Sequence, residues 1–307
     1  FNTRRSGYNV KRFVADYFND TNFPDVGANS LGYPRALPSV KDCWVSASGL
    51  DANEVMYSGS KAQRNLVVGA MQAAIDSNLD VLSPMFQFNL MVAPNYPELI
   101  DNMLALNDNR GDTAFVIGDT PLNLAPNAVT IANWINNTDV QTGFVIPSSP
   151  YAALYYPAGQ TNDLAGNTVV VPASHAVLRT YLYNDQVSYP WFPPAGLNRG
   201  SVNNLSDIGY LNADGGWVHN AVENGLRDAL FTLKINPLTQ LPASGIAVWG
   251  QLTRSAITSA RDRVNVVRLE NYLRTIFQSI ANGYLFEPND SITRKSIAAA
   301  IAGSLNT

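Results

Sequence analysis

The chain has 307 residues, of which 46% are hydrophobic and 14% are charged, and its formal net charge is −4 at pH 7. This length allows one large domain or two smaller ones, and the acidic balance argues against a general nucleic-acid binder. Because Cys43 is the only cysteine, neither an internal disulfide nor a cysteine-based zinc site is possible. No apolar run reaches the ~20 residues that span a bilayer, so we expect no membrane insertion.

The first part of the chain is predicted to be irregular. Aromatic side chains are scattered there among Asn, Asp, Gly and Pro, which favour turns. One helix is predicted over residues 62–78, where small and apolar residues recur at three- and four-residue spacing. We assign residues 1–82 to a variable, partly β outer portion. The chain begins with Phe1 rather than Met, and we expect it to be a piece of a longer polypeptide.

Strands and helices are predicted to alternate along the rest of the chain. The predicted strands cover residues 86–93, 113–118, 142–146, 152–156, 169–171, 231–235 and 246–251. The predicted helices cover residues 97–107, 128–136, 173–183, 223–230, 261–285 and 291–305. The many prolines and glycines of residues 189–217 favour a loop. This alternation predicts an α/β domain over residues 83–307, with a mixed sheet flanked by helices.

The longest predicted helix carries one apolar face. Five residues on that face are spaced by three and four positions: Val266, Leu269, Leu273, Ile276 and Ile280. Glu270 and Arg274 are four residues apart, which predicts a favourable ion pair along the helix.

Residues that could carry chemistry are scarce. There are two histidines, His175 and His219, and the sequence contains no zinc-binding helix motif, phosphate-binding loop or dinucleotide fingerprint. We therefore expect no catalytic residues, no metal, no cofactor and no enzymatic activity.

One enzymatic alternative remains open, an α/β hydrolase-like protein. Ser58 and Lys61 have the SxxK spacing of some acyl-transfer enzymes, although Ser58 or Ser60 also suits the cap of the following helix. Ser174 is followed directly by His175. A pocket that joined either pair to an acid would support this alternative, and a separated or solvent-exposed pair would remove it.

Five segments carry a family resemblance through their order and joint occurrence. They are AALYYP at 152–157, YPWFPPAGLNRG at 189–200, KINP at 234–237 with GIAVWGQ at 245–251, DRVNVVRL at 262–269, and YLFEPND at 284–290. Together they resemble the contractile tail sheath proteins of myovirus-type bacteriophages, from about residue 85 to residue 295.

The resemblance implies a structural role in the virion tail. Copies of such a protein polymerise as stacked rings around the tail tube, and they contract to drive the tube through the host envelope. The implied partners are other copies of the chain, the tail tube protein, and the baseplate and tail terminator proteins, with assembly in the host cytoplasm. The sheath of a bacterial contractile injection system, either a tailocin or a type VI-like apparatus, is the alternative with the same mechanics.

The resemblance also singles out candidate contact residues. Trp191, Phe192 and Arg199 are candidates for a contact between subunits, or alternatively for packing their loop onto its own core. A helix of the inner domain faces the tube in similar proteins, and residues 254–295 carry seven cations against four acids. The candidate tube contacts are Arg261, Arg263, Arg268, Arg294 and Lys295; the alternative for them is a solvated face or ion pairs within the chain.

Similar sheath proteins continue beyond the last helix. Their C-terminal extension pairs strands with neighbouring subunits, whereas this chain stops at Thr307, and the N-terminal arm of the family is not evident at Phe1. We therefore expect a middle-to-late part of such a protein.

Overall fold

The computed structural model describes residues 59–83, 86–136, 145–212, 215–242 and 244–305. The chain divides into two units. The first comprises Phe1–Ser77 with Asn136–Val145, and the second comprises Asn78–Ile135 with Ile146–Thr307. Residues 1–58 of the predicted outer portion, which include Cys43 and Ser58, lie outside the described residues, so the predicted boundary after residue 82 stays a prediction.

The helices of the described residues are α1 (Gly59–Ser77) in the first unit and, in the second, α2 (Leu79–Leu82), α3 (Ile100–Asn109), α4 (Ala128–Ile135), α5 (Ala173–Val187), α6 (Gly196–Arg199), α7 (Asn224–Thr232), α8 (Val264–Asn282) and α9 (Ser291–Leu305). The strands are β1 (Leu90–Val92), β2 (Phe115–Asp119), β3 (Ala152–Tyr156), β4 (Ala158–Asn162), β5 (Thr168–Val171), β6 (Asp207–Leu211), β7 (Trp217–His219), β8 (Ile235–Leu241) and β9 (Gly245–Val248). Short 3-10 helices cover Pro97–Leu99 and Ala260–Asp262.

A five-stranded mixed sheet forms the centre of the second unit. Its strand order is β1-β2-β3-β8-β9. The first four strands are parallel, and β9 runs antiparallel to β8. Every residue of β2 and β3 is buried, which is typical of parallel strands covered on both faces. The predicted α/β fold with a mixed sheet is confirmed.

Helices cover both faces of this sheet. The ring of Phe115 in β2 lies against that of Tyr181 in α5, with centroids 6.4 Å apart. A Cβ on Gly118, three residues further along β2, would come within 2.6 Å of Ile100 in α3. Because residues 115 and 118 point to opposite sides of a strand, α5 and α3 lie on opposite faces.

A second sheet, which is antiparallel, lies between β3 and β8 in the sequence. Its strand order is β5-β4-β6-β7, and a cis peptide bond between Tyr156 and Pro157 joins β3 to β4. The prediction of loop for residues 189–217 is therefore wrong for α6, β6 and β7. The loop was predicted partly from the glycines of this segment. One of them, Gly209, lies inside β6, where a Cβ would lie 2.1 Å from the Val218 carbonyl oxygen. This glycine serves close strand pairing rather than a turn.

Two other predicted strands need correction. The apolar run at 231–235 does not form a strand, because Phe231 and Thr232 still belong to α7. Lys234 has a φ of 55°, which ends the helical path before β8 begins at Ile235. In the predicted strand at 142–146, residues 142–144 lie outside the described residues, and the last two are not in a strand. The remaining predicted elements occur within a few residues of their predicted bounds, although the strand at 86–93 shortens to Leu90–Val92.

Candidate functional site

Helix α8 carries the candidate Arg268 and follows Arg261 and Arg263 in the chain, and it is hydrogen-bonded to the rest of its unit at both ends. At its start, the Val264 amide donates to the carbonyl oxygen of Gln251, just after β9, over 3.0 Å. Towards its end, Arg274 Nη1 donates to the carbonyl oxygen of Gly111, just after α3, over 3.2 Å. The 19 residues of α8 cover roughly 28 Å at 1.5 Å per residue. Helix α9 packs against α8.

The buried face of α8 differs from its predicted apolar face. Four residues of α8 are buried: Val264, Val267, Arg268 and Asn271. The five residues of the predicted apolar face are only half-buried: Val266, Leu269, Leu273, Ile276 and Ile280. A polar residue can occupy a buried position when a distant part of the chain supplies its partner, and helical periodicity does not contain that information.

Arg268 is one of the candidate tube contacts, but it lies inside the unit. Its guanidinium is 2% exposed and makes a two-pronged ion pair with Asp185 of α5, over 2.8 and 2.6 Å. It also lies 5.0 Å from the centroid of the Tyr181 ring. Arg268 is therefore withdrawn as a surface contact, because its charge is already neutralised within the chain.

A second network holds the exposed side of α8. Glu270 Oε1 accepts hydrogen bonds from Arg261 Nη2 at 2.5 Å and from Arg274 Nη2 at 2.7 Å. The predicted pair between Glu270 and Arg274 is confirmed, and this hydrogen bond raises the pKa of Arg274. Arg274 Nη2 also donates to the Tyr151 hydroxyl over 3.0 Å. Arg261 is about half-exposed, so it retains access to a partner while it is paired.

The remaining three candidate cations are exposed. Arg263 precedes α8, while Arg294 and Lys295 lie in the first two turns of α9. Arg294 Nε donates to Asn289 Oδ1 over 2.8 Å, which orients its guanidinium without neutralising it. We call Arg261 and Arg263, before α8, together with Arg294 and Lys295, at the start of α9, the basic surface.

The loop that contains Trp191 and Phe192 is held by its own unit. Trp191 stacks on Tyr189 with centroids 4.7 Å apart, and it lies 4.9 Å from Tyr272 of α8. Arg199 lies over the Phe192 ring at 4.7 Å. Phe192 and Arg199 thus contact each other within the chain. The position of Trp191 is explained by packing of the loop onto its own core, and it needs no neighbouring subunit.

Ser174 is joined to an acid that the sequence analysis missed. Asp119, at the end of β2, accepts hydrogen bonds from the Ser174 amide at 2.6 Å, the Ser174 hydroxyl at 2.7 Å and the Asn95 amide at 2.8 Å. Burial raises the pKa of Asp119. Both side chains are buried, whereas His175 is exposed. Asp119 thereby satisfies one amide group in the first turn of α5, that of Ser174. The sequence feature that could have pointed to this contact is Asp119 itself, the acid at the end of the apolar run TAFVIGD at 113–119.

No cluster of three or more His, Cys, Asp or Glu side chains suited to a metal ion occurs among the described residues. Within the same ranges, no helix combines the length and the apolar character needed to cross a membrane.

The segment that follows α8 exposes large apolar side chains. Leu285 is 58% exposed, Phe286 is fully exposed, and Ile292 is 73% exposed. Phe286 has a φ of 72°, an unusual conformation for a bulky residue. We call Leu285, Phe286 and Ile292 the apolar knob. No residue of α9 is buried.

An open groove lies beside the start of β8. Its walls come from α7, from the start of β8 and from the residues after β9, and its volume is about 460 Å³. Phe231 and Trp249 line it while remaining 59% and 43% exposed. Arg227 and Asp228 lie at its rim. We call this feature the aromatic groove.

Comparison with known proteins gives this geometry a context. The sequence is 32% identical to the tail sheath protein of Vibrio phage KVP40 over 167 residues, which are 54% of this chain and 22% of that protein. It is 32% identical to the tail sheath protein of Enterobacteria phage T4 over 161 residues, which are 50% of this chain and 22% of that protein. The resemblance to phage tail sheath proteins is confirmed. No family model matches the sequence.

Solved sheath structures share the fold. The helical sheath of the anti-feeding prophage in its contracted state superposes with a TM-score of 0.55 and 21% identity, over 78% of this chain and 57% of that chain. The contracted sheath complex of the extracellular contractile injection system PVC gives a TM-score of 0.54 and 21% identity, over 76% and 58%. The chain thus spans less than three fifths of these sheath chains, and the matched stretch is about a fifth of the curated phage sheath proteins.

Proposed function

We propose that this chain is part of a structural subunit of a contractile phage tail sheath, which stacks as rings around the tail tube and contracts to drive it through the host envelope. The observation that carries the proposal is the 32% identity to two phage tail sheath proteins over half of the chain. The fold that the chain shares with two contracted sheath structures supports it. The place of action is the virion tail, after assembly in the host cytoplasm.

The main partners in this proposal are other copies of the chain. The structures that share its fold include a helical sheath and a baseplate of the anti-feeding prophage, which supports self-assembly and contact with a baseplate. The tail tube and the tail terminator are further proposed partners. Residues 1–82 would form the variable outer portion, and the core domain from residue 83 would carry the contacts.

The basic surface is the proposed contact with the tube. Arg263, Arg294 and Lys295 are exposed, and Arg261 is about half-exposed, so their charges can attract an acidic partner over about a Debye length. Trp191, Phe192 and Arg199 remain secondary candidates for a subunit contact, because only the exposed edge of their loop is available to a neighbour.

The proposal assigns no catalysis to the chain. The hydrolase-like alternative needs a serine, a base and an acid that meet at an accessible pocket. Ser174 instead lies buried on Asp119, with His175 on the exposed side of the helix. The work of the protein would come from contacts exchanged between rigid subunits.

The second candidate function is the sheath of a bacterial contractile injection system. The fold matches to the anti-feeding prophage and to PVC favour it, while the sequence matches favour a phage. The mechanics are the same in both. Capsid or terminase genes beside the coding gene would decide for the phage, and their replacement by toxin-delivery genes would decide for the injection system.

Electron microscopy of the full-length protein tests the proposal directly. We expect tubular, sheath-like assemblies after overexpression. A protein that stays monomeric at high concentration, both alone and with its tube protein, would contradict the assignment.

A further inference from the structure

We propose that copies of this chain join head to tail, with Phe286 in the apolar knob of one copy inserted between Phe231 and Trp249 in the aromatic groove of the next. This inference rests on the proposed function, because it identifies the surfaces through which neighbouring subunits would meet. Its occupant is a second copy of this chain.

The described residues of its unit leave most of the apolar knob uncovered. Phe286 is fully exposed and follows Leu285, which is 58% exposed. A large aromatic side chain in water forfeits the burial that normally stabilises it. The backbone of Phe286 also adopts a positive φ of 72°, so the chain holds this ring outward in a conformation that bulky residues avoid. Both features are typical of a side chain whose contacts are made with a partner.

The aromatic groove suits such a side chain in size and in chemistry. Its volume of about 460 Å³ leaves room for a phenyl ring together with its flanking residues. Phe231 and Trp249 present ring surface on its walls, and aromatic pairs attract one another beyond the effect of buried area alone. A buried aromatic anchor in a pocket is the usual centre of a protein interface.

The groove carries both a cation, Arg227, and an acid, Asp228, and its cation can pair with an acid next to the knob. Glu287 directly follows Phe286 and is exposed, and Arg227 lies at the rim of the groove. Among the described residues, neither side chain forms an ion pair within the chain. When Phe286 enters the groove, Glu287 reaches the rim, where an Arg–carboxylate pair fixes the orientation of the contact.

The two features lie at opposite ends of α8. The helix begins beside the groove, since the Val264 amide bonds to Gln251 next to the groove residue Leu252. It ends at Asn282, three residues before the knob. A knob and a groove roughly 28 Å apart along one helix lie on different surfaces, so each copy can offer its knob to one neighbour and its groove to another. They generate a heterologous contact, which repeats into a ring or a helical filament.

Site-directed cross-linking of the full chain tests this contact. Cys43→Ser removes the only cysteine, and Glu287→Cys or Asp228→Cys then places a single thiol beside the knob or at the groove rim. The two single-cysteine proteins are mixed and oxidised, and the products are separated on a non-reducing gel. Asp163→Cys, an exposed position on the β4–β5 turn, replaces Asp228→Cys in the control mixture.

We expect disulfide-linked heterodimers from the knob and groove proteins, and a ladder of higher oligomers when one chain carries both thiols. Adding Phe286→Ala should lower the cross-linked yield ~tenfold or more, as for a truncated interface hot spot. Leu164→Ala, which removes another fully exposed apolar side chain, should leave the yield unchanged. With the knob thiol at Pro288→Cys, so that Glu287 is retained, Arg227→Glu in the groove protein should lower the yield, and Glu287→Arg in the knob protein should then restore it.

Two results would overturn the inference. One is a yield no higher than that of the Asp163→Cys mixture; the other is a predominance of knob-to-knob homodimers. Electron microscopy of the Phe286→Ala full-length protein separates this failure from that of the proposed function. Normal tubes from both the parent and the variant would refute the Phe286 contact alone, whereas the absence of tubes from the parent would refute the sheath assignment.

Discussion

Arg268 illustrates how a charged side chain can be buried at low cost in this protein. Its guanidinium donates two hydrogen bonds to Asp185 and lies over the ring of Tyr181. Tyr181 in turn shares a 2.6 Å hydrogen bond with the hydroxyl of Tyr155 in β3. Burial raises the pKa of both tyrosines, so their hydroxyl groups stay protonated. The network joins α8, α5 and the sheet.

Arg268→Ala is expected to destabilise the chain by about 3–5 kcal/mol, because it leaves the Asp185 carboxylate without its partner in a largely buried site. Urea-induced unfolding measures this change. Arg261→Ala is the matched control, since Arg261 pairs with Glu270 while about half-exposed, and its removal should cost no more than about 1 kcal/mol. Equal losses for the two variants would contradict the assigned role of Arg268.

Asp207 makes the stability of the antiparallel sheet depend on pH. Although partial burial acts against it, hydrogen bonds from Trp217 Nε1 at 2.8 Å and from His219 Nδ1 at 2.5 Å hold the pKa of Asp207 below its ordinary value. A carboxyl group with a lowered pKa stabilises the folded state above the unfolded-state pKa of 3.8. That contribution is lost as the pH falls through the lower, folded-state pKa.

Asp207→Asn should therefore be less stable than the parent by about 1–2 kcal/mol at pH 7, the usual effect of losing hydrogen bonds to a charged group. The difference should shrink as the pH is lowered below 3.8. Chemical denaturation at pH 7 and at pH 3 gives both values. Trp217→Phe, which removes only the indole donor, should reduce the pH dependence in part; a difference independent of pH would refute this account.

Among the elements, the paired strands β6 and β7 depend on one glycine. Gly209↔His219 is a register pair, and the Val218 carbonyl oxygen lies where a Cβ on Gly209 would be. The backbone has no room to accept a side chain at that position without separating the strands.

Gly209→Ala is expected to cost about 1–3 kcal/mol through steric overlap with the neighbouring strand. Gly225→Ala is the control, because nothing lies within 4 Å of its added Cβ in α7, and alanine should stabilise that helix by up to about 1 kcal/mol. Thermal unfolding of the two variants should show shifts of opposite sign. Similar shifts would indicate that Gly209 is not closely packed.

The elements also show what sequence patterns can and cannot predict here. The continuous apolar run Ala152–Tyr156 predicts β3 correctly, because a strand buried on both faces needs no polar alternation. In α8, by contrast, the apolar stripe predicts the wrong buried face. Arg268 is buried there because Asp185, 83 positions earlier, lies beside it in the fold, and a local pattern carries no record of that partner.

The residues of the candidate site also divide into those that a local pattern predicts and those that only the fold reveals. The basic residues near the end of the chain are visible as a charge excess, so Arg263, Arg294 and Lys295 were identified and are exposed. The Ser174–Asp119 link, 55 positions apart, and the exposure of Phe286 depend on tertiary packing. Periodicity treats a leucine and a phenylalanine after a helix as core residues, and only the fold shows that the described residues leave Leu285 58% exposed and Phe286 fully exposed.

On the scale of the whole molecule, charge is distributed unevenly. Residues 254–295 carry a net charge of +3, from seven cations and four acids, whereas the chain carries −4, so the rest carries −7. Such an asymmetry favours association between unlike surfaces and makes it sensitive to salt.

Reversing two charges should therefore weaken co-assembly with the tail tube protein. Arg294→Glu combined with Lys295→Glu is expected to reduce co-sedimentation at low salt, and the difference from the parent should fade towards 1 M salt, where screening acts within about 3 Å. Arg179→Glu, an exposed position on α5, is the control and should have little effect. Unchanged co-sedimentation of the double variant at low salt would refute a tube contact at this surface.

The insertion of the antiparallel sheet between β3 and β8 affects how the chain is made. Leu154 pairs with Ile235, so about 80 residues must leave the ribosome before β3 meets this neighbour. At a typical elongation rate that wait lasts on the order of 4–16 s. During it, one side of an apolar strand is open to pairing with other nascent chains. Synthesis is therefore the stage at which this polypeptide is most exposed to misassembly.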